Sequence, residues 1–376
     1  MTTLGDLAAM LSGRLAGGDP GAAVTGIAPL SRAIGTELAF VSEKRYLAGL
    51  TATRAACVLL AESWESEVES PVPVIFVADP YLAYARASRL FEGAEPEFSV
   101  HSTALIDSSV QLPRRVSIGA YACIEADVTL GEDVIIGPGC FIGRGARLGD
   151  RTRLMANVTL YHGVHLGARC RVHSATVIGA DGFGFARRAD GWERIAQLGG
   201  VRIGDDVDIG ATVTIDRGAL DDTVIESGVI IDDKVHIGHN CRIGERTAIA
   251  GCAGIAGSTQ IGAGCTLAGQ VGVSGHLEIC DNVHLGGQAR VTKSIREPGA
   301  YSSGTPLEPS RQWARNAVRF SQLESLQRRV SDIEGLQRRV SELEELQRRV
   351  NEIEAALTRL TASDEGRADG RADKSS

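Results

Sequence analysis

The sequence predicts a mainly β protein: a parallel β-helix of six-residue repeats, with a small α/β domain before it and an α-helical coiled coil after it. Three observations carry this reading. From Ile225 to Val291 every sixth residue is Ile, Leu or Val, twelve times without a miss. The residue four further on is usually small or β-branched, as at Val229, Val235, Cys241, Thr247 and Ala253, and Gly or Ala often follows the aliphatic position. From Ser321 the chain changes to ten-residue copies whose apolar residues fall three and four apart.

A helix cannot produce a period of six, which is no multiple of 3.6. A plain amphipathic strand alternates every two residues and has no reason to fix Gly at sixths. Short strands joined by tight bends explain both features. Each six makes one flat face, three faces close a coil of eighteen residues, and the aliphatic column points inward. Neighbouring coils then lie about 4.8 Å apart.

Residues 1–102 do not follow the rule of six and form a separate α/β domain. Leu4, Leu7, Met10, Leu11 and Leu15 predict an amphipathic helix that starts behind Thr3 and ends at Gly17-Gly18. Ala56 to Leu60 and Val72 to Val77 predict buried strands. Tyr81 to Phe91 predicts a helix opened by Asp79-Pro80.

Residues 103–307 carry the repeats. The inward column runs from Ile106 to Ile178, breaks at Ala180-Asp181-Gly182-Phe183-Gly184-Phe185, and resumes at Ile203, Ile209 and Ile215. The break must be a loop thrown out from one coil. A four-residue slip follows at Asp221 to Val224. The sixes amount to roughly nine coils, a prism on the order of 45 Å long. Glu297-Pro298-Gly299-Ala300-Tyr301 and Gly304-Thr305-Pro306 end the repeats with turn chemistry.

Residues 308–361 are helical. Arg311, Arg315 and Arg319 are four apart and share a face. Leu323, Leu326, Val330, Ile333, Leu336 and Val340 begin a coiled-coil seam whose mean step is shorter than 3.5, so tighter left-handed winding is expected. The polar, charged residues 362–376 predict a disordered tail. A long seam and a flat-sided solenoid both point to a homo-oligomer.

Composition narrows the class. The net charge of −8 argues against nucleic acid. No basic start with an apolar core marks a signal peptide, and no apolar run is long enough to span a membrane. Of the eight Cys, Cys140, Cys170, Cys241 and Cys265 fall in the small inward column, and the others lack metal spacing. A reducing, cytoplasmic compartment is expected.

The repeat also says which polar residues share a site. His239 is the third residue of its six. Eighteen further on is Gly257, and eighteen beyond that is Gly275, next to His276. The spacing therefore puts His239, the Gly257 backbone and His276 on one face, with the imidazoles roughly 10 Å apart. A neutral imidazole can take a proton from a nucleophile, a bare glycine N–H can hold an oxyanion, and a second His can bind substrate. The close pairs His162/His165 and His236/His239 are expected to point to different sides of a coil, which speaks against a zinc site.

The runs Gly179 to Phe185, Ile209 to Thr223, Ile237-Gly238-His239-Asn240 and Glu297 to Gly304 together resemble the UDP-3-O-(3-hydroxyacyl)glucosamine N-acyltransferases of lipid A biosynthesis, over about residues 1 to 320. The resemblance implies a left-handed β-helix, homotrimeric, with active sites in the clefts between subunits. The implied reaction moves a (3R)-3-hydroxyacyl chain from acyl carrier protein to the 2-amino group of UDP-3-O-acylglucosamine. It uses no metal and no resident cofactor, since the acyl group travels on the carrier's phosphopantetheine. His239 matches the general base, Gly257 the residue whose N–H holds the oxyanion, and His276 a substrate contact. Phe40 and Tyr46 match the aromatics that stack uracil in the N-terminal domain. Glu43 stands where the family has Asn, and a carboxylate accepts hydrogen bonds without donating them.

Acyl carrier proteins are acidic, so an acidic enzyme needs a local basic face to dock one; Arg311, Arg315 and Arg319 are the candidates. Three other readings stay open: an O-acyltransferase on a UDP-amino sugar, a metal-dependent lyase on the same prism, and a solenoid without activity.

Overall fold

The computed structural model describes residues 2–93, 97–304 and 306–369. The first domain is built on a five-stranded sheet, in the order Arg14–Ala16, Val74–Val77, Cys57–Ala61, Glu37–Phe40, Gly26–Ile27. All neighbours are parallel except the first pair. Helix α1 (Leu4–Met10) opens on a capping box, in which Thr3 accepts from the Asp6 N–H and Asp6 accepts from the Thr3 N–H.

Helix α1 stops seven residues short of the predicted glycine pair, and Leu15 lies in a strand. Gly13 explains the difference. A Cβ there would stand 2.7 Å from Ile75 and 2.8 Å from Val77, so a bare Cα lets the chain press onto the neighbouring strand. Helix α2 (Pro80–Ser88) is capped by Asp79, whose carboxylate accepts from the Tyr81 and Leu82 N–H groups. One 3₁₀ turn, Arg89–Phe91, continues it.

The remainder up to Tyr301 is a left-handed parallel β-helix of six-residue repeats. Its three sheets hold ten, eight and ten short strands. Residues eighteen apart pair, as Phe141 does with Thr159. Val177 instead pairs with Thr214, so nineteen residues leave the coil. Thr214 pairs with His236, which places the four-residue slip. The nineteen fold out as an antiparallel hairpin, Phe185–Arg188 against Gly191–Arg194.

Both inward columns are buried in one continuous core. Where the small column holds Thr, its hydroxyl bonds to main chain. Thr247 Oγ1 donates to the Gly262 carbonyl at 2.8 Å and accepts from the Cys265 N–H at 3.0 Å. Strand Gly299–Tyr301 closes the last coil against Val283–Leu285.

Helices α3 (Ser310–Ser321) and α4 (Leu323–Asp369) follow. Helix α4 runs on to Asp369, past the expected end of the coiled coil at residue 361. Residues 370–376 of the expected tail, and Thr305 of the expected turn, lie outside the described residues. No described helix is long and apolar enough to cross a membrane.

Candidate active site

A pocket of about 700 Å³ lies on the outer face of one ten-stranded sheet. His239, Gly238, Gly257, Ser274, Asp216 and His236 line it, and Phe183 of the inserted loop stands over it. The winding does bring His239 and Gly257 together. A Cβ on Gly257 would sit 2.6 Å from His239 Nε2, so the ring rests on the bare glycine.

The hydrogen bonds fix the tautomer of His239. Asn240 Oδ1 accepts from the Ala219 N–H at 2.9 Å, and Asn240 Nδ2 donates to the Asp221 carbonyl at 3.0 Å. With the amide thus oriented, its oxygen faces His239 Nδ1 at 3.0 Å. Nδ1 therefore carries the proton, and Nε2 presents a lone pair above Gly257.

The Gly257 N–H is open for a structural reason. At other corners the equivalent N–H is capped by a side chain one coil further on. Glu132 N–H bonds to Asp150, Ala211 N–H to Asp233 and Ala263 N–H to Asp281, at 2.6 to 2.9 Å. The residue one coil beyond Gly257 is Gly275, which has nothing to cap with. Among the described residues the Gly257 N–H has no hydrogen-bond partner. Gly238 keeps it accessible, since a Cβ there would stand 2.8 Å from that nitrogen.

His276 does not join the lining. It sits one residue past the face, on the corner at φ 60°, and its N–H donates to the Gly257 carbonyl at 3.1 Å. Eighteen-residue steps put it in the column of Asn240 and Ser258.

His236, in contrast, does converge with His239. Its Nδ1 lies 2.8 Å from Thr214 Oγ1, and its Nε2 lies 3.8 Å from the largely buried Asp216 carboxylate. Burial pushes the Asp216 carboxyl above its ordinary value, and the neighbouring His236 and His239 pull it partly back. Sequence reasoning passed over Asp216, although a signal exists. It follows Ile215 at the position where Gly238, Ala256 and Ser274 follow their aliphatic residues. Among the described residues no group of three or more His, Cys, Asp or Glu is placed to hold a metal ion.

The inserted loop is seated on the site. A Cβ on Gly182 would come within 2.6 Å of the His239 Cβ, so only glycine passes there. Asp181 and Arg194 form an ion pair across the loop. Phe183 packs edge-on to Phe185 at 5.2 Å and is itself 87% exposed, an apolar ring at the pocket mouth.

In the N-terminal domain Phe40 and Tyr46 line a second cavity of about 380 Å³. Phe40 stacks on Tyr84 with ring centroids 4.1 Å apart. Glu43 is outside that lining and pairs with Arg45 at 2.9 Å; the Arg45 guanidinium lies 4.8 Å over the Tyr46 ring. Arg311, Arg315 and Arg319 are exposed on α3. A larger groove, about 790 Å³, lies on the other ten-stranded sheet between His173 and His284.

Residues 22–90 match the family profile of the UDP-3-O-(3-hydroxymyristoyl) glucosamine N-acyltransferases. Residues 105–144 and 222–257 match the bacterial transferase hexapeptide profile. The UDP-3-O-acylglucosamine N-acyltransferase of Hahella chejuensis is 46% identical, covering 87% of this chain and 94% of its own length. That of Chromohalobacter salexigens is 49% identical over 87% and 94% of the two chains. That of Coxiella burnetii is 45% identical over 83% and 92%. With nearly half of its residues shared along most of both lengths, the chain belongs to the UDP-3-O-acylglucosamine N-acyltransferase family.

Proposed function

We propose that this chain transfers a (3R)-3-hydroxyacyl group from acyl carrier protein to the 2-amino group of UDP-3-O-acylglucosamine, a step of lipid A biosynthesis. The observation that carries the chemistry is the His239 Nε2 lone pair held over a glycine whose N–H is uncapped.

The acceptor amine attacks the thioester carbonyl carbon and the C–N bond forms. His239 Nε2 takes the amine proton. The carbonyl oxygen becomes an oxyanion and receives the Gly257 N–H. Collapse breaks the C–S bond, and the imidazolium returns its proton to the departing sulfur. An amide and a free thiol leave. Asn240 holds the imidazole in the tautomer this sequence requires. The step needs neither a covalent enzyme intermediate nor a resident cofactor, because the acyl group arrives on the carrier's phosphopantetheine.

Phe40 and Tyr46 are assigned to the uracil ring, and His276 to a more distant part of the substrate. The pocket is built on one sheet face and lacks an opposite wall, which supports a homotrimer with sites between subunits. Arg311, Arg315 and Arg319 are assigned to carrier docking.

The test is an acyl-transfer assay with purified protein, UDP-3-O-acylglucosamine and a panel of 3-hydroxyacyl carrier proteins. His239→Ala should lower kcat by about 10²–10⁴ with unchanged melting. Turnover in His239→Ala equal to the parent protein would remove the reading.

A further inference from the structure

We propose that Arg217 is a positioning residue for the reaction assigned above: gripping His162, it fixes the bend whose peptide groups orient Asn240, and through Asn240 it sets the tautomer of His239. The proposal rests on that assignment of His239 as the base, and it names the group that steadies the base's partner.

Arg217 belongs to the column of His239. His162, Arg217 and His239 each stand two residues past an aliphatic, Leu160, Ile215 and Ile237. The ladder joins these aliphatics in turn through Ile178. At the winding of Ile178 the register shifts and the chain departs for the insert. Arg217 reaches back over that winding. Its Nη2 donates to the His162 carbonyl at 2.6 Å, and its Nη1 donates to His162 Nε2. A guanidinium only donates, so His162 accepts at Nε2 and carries its ring proton on Nδ1.

The arrangement works against folding. Arg217 is 3% exposed, and among the described residues it has no ion pair. Burial pushes its guanidinium below the ordinary value, and Asp181 and Asp222 pull it partly back. Those two carboxylates pair with Arg194 and Arg202 instead. Arg217 Nε is buried without a partner among the described residues. A buried cation with an orphaned donor is a poor fastener beside an apolar side chain of the same size. Local rules are broken in this way at functional sites, and the site stands one winding away.

The route from Arg217 to His239 is continuous. Strand Thr214–Asp216 ends just before Arg217, and the next strand begins at Thr223. The bend between them is so tight that a Cβ on Gly218 would lie 1.6 Å from the Asp221 carbonyl oxygen. Arg217 fixes the entry to the bend twice, by its side chain on His162 and by its N–H, which donates to the Ala180 carbonyl at 2.8 Å. Within the bend, the Ala219 N–H and the Asp221 carbonyl hold the Asn240 amide. If the bend relaxes, the amide can turn over and offer Nδ2 to the ring. His239 Nδ1 must then accept, and the ring proton moves to Nε2, the nitrogen that has to take the amine proton.

The experiment uses the full chain with Arg217→Met, Arg217→Lys, Asn240→Ala and the double variant Arg217→Met with Asn240→Ala. Solid-state ¹⁵N spectra of histidine-labelled protein read the tautomer without substrate, with His239 assigned by difference against His239→Gln. The parent should show the proton on Nδ1, and Arg217→Met should move it wholly or partly to Nε2. An unchanged tautomer overturns the proposal. In the transfer assay Arg217→Met should lower kcat about tenfold to a hundredfold with both KM values little changed, the mark of a defective base rather than lost binding. In the Asn240→Ala background the same change should cost less than about twofold, because residues acting through one another are not additive. Full additivity would place the action of Arg217 elsewhere and overturn the proposal. Arg217→Lys keeps the charge without the two-pronged grip and should behave like Arg217→Met; it also carries the test if Arg217→Met fails to fold. Parent-level turnover in Arg217→Lys would overturn the grip. A parent without transferase activity would end the reading of the reaction, and the spectra would still decide the tautomer clamp.

Discussion

His239 is useful because of what its neighbours lack. Gly257 gives the ring room, Gly275 leaves the amide uncapped, and Gly182 lets the loop settle over the ring. Gly257→Ala should therefore push the imidazole away and lower kcat by about 10²–10³, the usual cost of losing one oxyanion donor. The melting temperature should stay near that of the parent; a fall in KM alone would count against the assignment. Asp216 supplies a pH signature. Its carboxyl titrates above the ordinary value of 3.8 in the folded chain, so the folded state keeps that proton longer than the unfolded state. Stability is lost as pH rises from 3.8 through the folded value, and it stays lost above. Asp216→Asn should raise the melting temperature at pH 7, and the gain should vanish below 3.8. Thermal melts at the two pH values decide it. The pairing of His239 with Gly257 was legible because eighteen-residue arithmetic reaches it directly. His276 came out one residue off that face, because counting cannot separate a face position from the corner beside it. The role of Asn240 depends on side-chain amide orientation, which no spacing encodes.

The coils turn at corners where non-glycine residues adopt left-handed backbone, such as Asp133 at φ 59°, Asn157 at 57° and Asn240 at 58°. Such conformations are costly for L-residues, and the ladder bonds on both sides hold them in place. Inward threonines close the remaining gap by bonding a carbonyl and an N–H that no strand reaches. Thr247→Val keeps the shape but orphans the Gly262 carbonyl and the Cys265 N–H. A loss of about 1–3 kcal/mol is expected from a denaturant titration; an unchanged midpoint would show that these groups find other partners. The six-residue column marks the coils from Ile106 to Val291, since a buried aliphatic position leaves a strict period; the closing strand Gly299–Tyr301 lies beyond it, in a stretch whose composition reads as a turn. The first helix was less legible. Its apolar spacing continues through Leu15, and only the close approach at Gly13 explains why the chain leaves the helix sooner.

Over the whole molecule the chain is acidic, with a net charge of −8, so the acidic carrier of the proposed reaction needs a local exception. Reversing Arg311, Arg315 and Arg319 together should raise KM for the acyl carrier protein and leave a small thioester donor unaffected. Equal effects on both donors would locate the defect in the site. The domain order was readable from changes of period, and so was the insert, as an interruption of the column. How the insert folds was hidden, because its hairpin follows no repeat. That insert leaves the ladder at a single coil, two windings before the one that carries His239. Coils on either side of it are interchangeable in shape, so the reaction centre has an address counted in whole windings. Its distance from the basic helix at the end of the prism can change only in increments of about 4.8 Å. On the proposed docking of the carrier at α3, its flexible arm of fixed reach is matched to an integer, and inserting one complete winding beyond Val291 would move the thioester by a full step while leaving the pocket lining in place.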